Sequence, residues 1–147
     1  MCLNRSMSEV VTDFAERQLP ELNDRNRHFW SGGRDGKLHI LRCRTCGLYL
    51  HPPKPVCPRC YKFDLAPEAV SGKGVVHSFT VNHYQWFPDF PPPYVVAEVE
   101  LVEQPGLRLM TNIVGCEPET VSCGSAVEVV FAVHGDIYVP LFRPAPA

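Results

Sequence analysis

A chain of 147 residues suits one ordinary domain or two very small ones, and 45% hydrophobic residues suffice for a packed core. A formal net charge of −2 argues against electrostatic nucleic-acid binding as the default role. No apolar run approaches the roughly 18 residues of a membrane span, and residues 1–11 lack the apolar stretch of a secretory signal.

Residues 1–36 read as an N-terminal helical segment. Val10, Val11 and Phe14 allow a helical turn or two before Pro20. Pro20 and Glu21 then suit the first turn of a helix that carries Leu22, Phe29 and Trp30 on one face and stops at Gly32-Gly33. Its other residues, Asn23 to His28, are polar. So small an apolar face cannot form a core alone, and the helix is expected to dock on the rest of the chain or on a partner.

Residues 37–68 read as a zinc ribbon. Leu38 to Arg42 forms a strand that delivers Cys43, and Leu48 to Leu50 leads away as a second. Cys43, Cys46, Cys57 and Cys60 make two C-x-x-C pairs separated by ten residues. Thiolates three positions apart close on one ion through a tight turn, and two such turns give the four-sulfur cage that Zn²⁺ prefers. Gly47 and Pro58 supply the turn chemistry. Structural Zn²⁺ is the favoured occupant; iron in a rubredoxin-like site uses the same ligands, and disulfides or a redox dithiol are the remaining alternatives. A hairpin module this small needs its metal to be stable. Metal-type cysteines without a signal segment point to the cytoplasm. Cys2, Cys116 and Cys123 are scattered singly and read as buried or terminal thiols.

Residues 69–147 read as β only. Strands are expected over 74–83, 94–103, 107–114, 126–133 and 137–142, with Pro105-Gly106 and Gly135-Asp136 as turns. Val75, His77, Phe79, Val81 and His83 fall on one side of the first. Val95, Ala97, Val99 and Leu101 line one face of the second, with Val96, Glu98 and Glu100 on the other. Five strands without an interior helix predict a small closed barrel of OB type. The fold class is therefore mainly β: a helical N-terminus, a zinc ribbon, then a five-stranded OB-fold barrel.

The chain offers no recognised catalytic set. His77 and His83 read as ordinary barrel positions, His51 as a structural neighbour of the metal module, and Glu98 with Glu100 as a solvated strand face. The stretch from Tyr84 to Pro93 stands apart, with four aromatics and four prolines between two strands. It is either a lid over the barrel's own end or a partner surface, with Trp86 its strongest anchor. Trp30 carries the same two readings.

The order of these marks resembles the zinc-ribbon/OB-fold family of acyl-CoA-associated proteins, from about Asn23 to Pro144. Phe29-Trp30 comes first, then Cys43-Arg44-Thr45-Cys46-Gly47, His51-Pro52-Pro53 and Cys57-Pro58-Arg59-Cys60. Val70 to Gly74, Pro93 to Ala97, Leu109 to Cys116, Val127-Glu128-Val129 and Phe142-Arg143-Pro144 follow in the barrel. Tyr61 stands where the second knuckle often has glycine, which strains the turn without removing a ligand.

The resemblance implies a small non-catalytic accessory subunit, without turnover alone. It implies partners among thiolase-fold enzymes (thiolases, aldolases and multi-subunit acyltransferases) or hydratases of CoA thioesters. Ribbon and helices would dock on the partner while the barrel sits near an acyl or CoA channel. Phe29, Trp30, Tyr84, Trp86 and Phe87 are the expected partner or acyl-channel residues. No membrane role is expected. The competing reading is a single-stranded nucleic-acid-binding protein, suggested by the basic run Arg25, Arg27, Arg34, Lys37, Arg42 and Arg44 and opposed by the acid-rich barrel half.

Overall fold

The computed structural model describes residues 17–146; the turn expected at Val10 to Phe14 and Cys2 lie outside them. Residues 20–26 are not helical, contrary to expectation. Asn23 Oδ1 accepts the backbone N–H groups of Arg25 and Asn26. Asn26 Oδ1 accepts that of Asn23, and its Nδ2 donates to the Glu21 carbonyl. These short amides capture the backbone groups that a helix would use. Helix α1 therefore spans only Arg27–Ser31. The α-helix ends where expected, at its C-cap Gly32, and Gly32–Asp35 follow as a 3-10 turn closed by Gly36 at φ 78°.

The ribbon holds three strands. β1 (Leu38–Cys43) pairs antiparallel with β2 (Tyr49–Leu50) and, over its whole length, with β3 (Leu65–Val70). β3 is absent from the sequence reading, because Pro67 and Glu68 interrupt its pattern. Its place at the edge of the sheet tolerates the proline.

The barrel closes in the order β4 (Lys73–Asn82), β5 (Tyr94–Leu101), β6 (Arg108–Ile113), β8 (Ile137–Pro144), β7 (Ala126–His134). All neighbours run antiparallel except β6 and β8, whose parallel seam is the pair Ile113–Phe142. β5 buries Val95, Ala97, Val99 and Leu101, as its alternation predicts. β4 departs from plain alternation. Its register shifts between Val76 and Ser78, so His77 is an extra, bulged residue. Val75 and His77 face outward, whereas Phe79 and Val81 pack against the core.

Ribbon and barrel share one core. Leu38, Ile40 and Val70 from the ribbon join Phe29 of α1, then Val95, Val99, Phe131 and Phe142 of the barrel. The helix's apolar face thus docks on its own chain. Burying Phe29, 5% exposed, contributes about 2–3 kcal/mol. Close approach is possible because Gly33 has no side chain: a Cβ there would lie 2.5 Å from a Phe131 ring carbon and 2.7 Å from Tyr138 Cβ.

Candidate metal centre and docking surfaces

Two turns of one plan hold the cysteines. In the first, Gly47 N–H donates to the Cys43 carbonyl (2.9 Å) at φ 79°; in the second, Tyr61 N–H donates to the Cys57 carbonyl (2.9 Å) at φ 59°. Arg44 N–H donates to the Asp64 carbonyl (2.8 Å) and ties one turn to the other. The four sulfurs all lie within 4.8 Å of one another, with Cys43–Cys60 and Cys46–Cys57 at 3.6 Å. A disulfide needs about 2.05 Å. An ion about 2.3 Å from each of four sulfurs sets edges of about 3.8 Å, so the donor set and spacing fit structural zinc. Backbone N–H of Cys46, aided by that of Thr45 and opposed by burial, lowers the Cys43 thiol to about 6, which favours the thiolate a metal needs. Zinc held there supplies a four-way crosslink with no position left for a catalytic water.

Arg42 braces the first turn, a role that its place in a basic run conceals. Its Nε donates to the Gly47 carbonyl (2.9 Å), its guanidinium covers the Tyr49 ring (4.5 Å), and Nη1 reaches Glu68 (3.0 Å). One side chain thereby links β1, β2 and β3.

Between α1, the ribbon loop and the outer barrel face lies a groove of about 650 Å³, walled by Phe29, Trp30, His51, Pro52, Arg108 and Met110. Trp30 is half-buried and meets Phe29 edge-on at 4.8 Å. His51 stacks on Phe29 at 4.6 Å. Its Nδ1, like His28 Nε2, is buried with no hydrogen-bond partner among the described residues. Burial, then the nearby His28, pushes the His51 pKa down to about 4. The unfolded chain therefore takes up a proton that the folded chain refuses. Stability falls as pH drops from about 6.5 to about 4, by about 3 kcal/mol in full. With zinc saturating, His51→Leu is expected to flatten this limb in urea-unfolding series; equal slopes for parent and variant would refute the assignment.

The loop after β4 is closed as a hairpin by its own hydrogen bonds. Phe87 and Phe90 form a bridge, Gln85 Nε2 donates to the Pro88 carbonyl (2.9 Å), and Trp86 Nε1 donates to Asn82 Oδ1 (3.1 Å). Its aromatics stand in solvent: Trp86 is 66% exposed, Tyr84 64% and Phe87 51%. Beside it lies a cavity of about 450 Å³ walled by Arg17, Phe87, Phe90, Tyr94 and Asn112. Arg17 covers the Phe90 ring (5.0 Å) and donates to Asn112 Oδ1 (2.9 Å). The structure does not bring the two aromatic sets together, for Phe29 and Trp30 border one depression and Phe87 the other. His77 and His83 are exposed. Glu100 accepts Gly106 N–H and Arg108 Nε, and Glu98 accepts the Ser78 hydroxyl, so these carboxylates brace loops and strands. Among the described residues, no helix is long and apolar enough to cross a membrane.

A four-cysteine ribbon fused to a closed five-stranded barrel defines a zinc-ribbon/OB-fold protein. Residues 30–66 match the family described as "ChsH2, rubredoxin-like zinc ribbon domain" and residues 67–132 match "ChsH2, C-terminal OB-fold domain". The chain belongs to this ChsH2-type, or DUF35, family. It is 39% identical over 132 residues to a probable enoyl-CoA hydratase alpha subunit of Thermomonospora curvata, covering 89% of this chain and 41% of that protein. It is 41% identical over 93 residues to a DUF35 domain-containing scaffold protein of Methanothermobacter thermautotrophicus, covering 61% of this chain and 68% of that one. Its fold matches the solved Ltp2-ChsH2(DUF35) aldolase with a TM-score of 0.79 and 38% identity, over 87% of this chain and 100% of that chain. The chain thus spans well under half the length of the hydratase subunit.

Proposed function

We propose that this protein is a cytoplasmic, non-catalytic accessory subunit that grips a thiolase-fold enzyme and supports acyl transfer or carbon–carbon bond formation or cleavage on CoA thioesters. The metal keeps the ribbon rigid. The barrel and its aromatic loop complete the companion's substrate channel, with Trp30, Tyr84, Trp86 and Phe87 at the contact and Phe29 supporting Trp30 from beneath. Relatives named as a scaffold protein and as an aldolase complex support this reading. The observation that carries it is the aromatic loop: three large apolar side chains stand in water on a backbone stiffened by its own hydrogen bonds. Such pre-ordered surface loses little entropy on docking.

The test is co-purification of the untagged chain from its native source, identification of the companion, and activity of each part and of the complex. Turnover should require the companion and drop without this chain. Turnover by this chain alone would overturn the proposal. Trp86→Ala should weaken the complex ten- to hundredfold by calorimetry, with the isolated protein's melting temperature unchanged, because aromatic anchors dominate interfaces.

A further inference from the structure

Tyr61 and Phe63 are the most exposed large hydrophobic side chains among the described residues, at 75% and 80%. They flank Lys62 at the close of the second metal-binding turn. Tyr61 is also the one described non-glycine residue with a left-handed backbone, φ 59°. The turn demands that conformation, since the N–H must fold back to Cys57, and the matching position of the first turn is a glycine, Gly47. A β-carbon is disfavoured there. The Tyr61 side chain does not offset the penalty: it makes no hydrogen bond or ring contact among the described residues.

The surroundings are cationic. Arg44, Arg59 and Lys62 lie on the two turns, all exposed and none in an ion pair among the described residues. The carboxylates nearest in sequence are Asp64, whose carbonyl accepts Arg44 N–H, and Glu68, which Arg42 holds. Residues 37–68 carry six basic and two acidic side chains; residues 69–147 carry three and eight. Zinc with four thiolates brings two negative charges and leaves the segment positive.

We propose that this turn is a second docking surface: Tyr61 and Phe63 enter an apolar depression on an acidic face of the companion protein, and Arg44, Arg59 and Lys62 pair with carboxylates around it. The proposal rests on the accessory-subunit reading and adds a contact separate from the Trp86 loop. Three cations on a compact turn beside an acidic barrel are too few to track a nucleic-acid strand.

The experiment uses the companion subunit isolated with the untagged chain. Tyr61→Gly is expected to keep or raise the melting temperature, since glycine suits the left-handed position, yet raise Kd at least tenfold. Phe63→Ser should do the same to Kd. The parent's Kd should rise several-fold from 50 to 300 mM NaCl, and less so in Arg59→Gln/Lys62→Gln. If the complex forms and both aromatic variants bind like the parent, this surface is unused while the accessory reading stands. If no companion associates, both fall. A labelled oligothymidine 20-mer that binds the parent and loses affinity in Tyr61→Gly would overturn the assignment in favour of nucleic acid.

Discussion

Stripping the metal at neutral pH with a strong chelator is expected to unravel residues 43–64 while the barrel strands keep their protection. The metal-binding end of the ribbon has little else to hold it beyond the Arg42 contacts. β2 is two residues long, and Leu50, Cys43 and Cys57 are the buried side chains of the metal-binding end. Without an ion, four thiols remain packed within 4.8 Å, and Cys43, held toward its thiolate, repels any neighbour that ionises. Structural zinc in comparable modules contributes on the order of 10 kcal/mol at pH 7. The barrel has its own closed ladder and the larger share of the core, so the loss should stop near β1 and β3. Cys57→Ser should reproduce the effect, since Cys57 is buried and its replacement leaves the cage one ligand short. Hydrogen exchange by mass spectrometry, paired with metal analysis, reads both. Unchanged protection across residues 43–64 in metal-free protein would refute the scaffold role of the ion.

Gly33→Ala is the second substitution expected to act strongly, with a loss of about 2–4 kcal/mol in urea unfolding. The added methyl meets Phe131 at 2.5 Å and Tyr138 Cβ at 2.7 Å, distances at which something must move. Phe131 is 2% exposed and fills the centre of the core, so its ring has nowhere to go. The relief must come from the 3-10 turn and α1 lifting off β7 and β8, which also lifts Phe29 and Trp30. Gly33→Val should be worse. By contrast, Gly135→Ala, where a Cβ meets nothing within 4 Å, should cost only the strain of its φ of 62°. Similar losses at the two positions would show that crowding at Gly33 is not the cause.

What could be read directly from the sequence was local. Cysteine spacing fixes a cage because three residues of backbone decide whether two sulfurs can meet, and Cys43, Cys46, Cys57 and Cys60 do meet. β5 was legible because it is buried on one face only, which leaves a two-residue period. What escaped depends on partners distant in sequence or on competition for backbone groups. β3 exists because β1 pairs with it along six residues, and nothing within Leu65–Val70 says so. The helix expected from Pro20 lost to amide side chains at Asn23 and Asn26. One bulged residue, His77, inverted half of β4. Exposure of Tyr61 and Phe63 has no local signature, since the same residues in another fold would be core. The division of aromatics between two depressions was equally invisible, because it follows from where the ribbon leans on the barrel.

The parallel seam of the barrel has a consequence for how the molecule comes apart. β6 and β8 share one ladder pair, backed by Thr111 Oγ1 to the Pro140 carbonyl and Val114 N–H to the Phe142 carbonyl, and β4 and β7 share three, against six to eight within each piece, so the cylinder divides most readily into a three-strand meander and a two-strand hairpin. The segment 17–36 fastens both pieces: Arg17 holds Asn112 on the meander, and Gly33 nestles against Phe131 and Tyr138 on the hairpin. It works as a buckle. Pulling the molecule open from its N-terminal end should release the buckle first and split the cylinder next, with the four-sulfur clasp the last feature to yield.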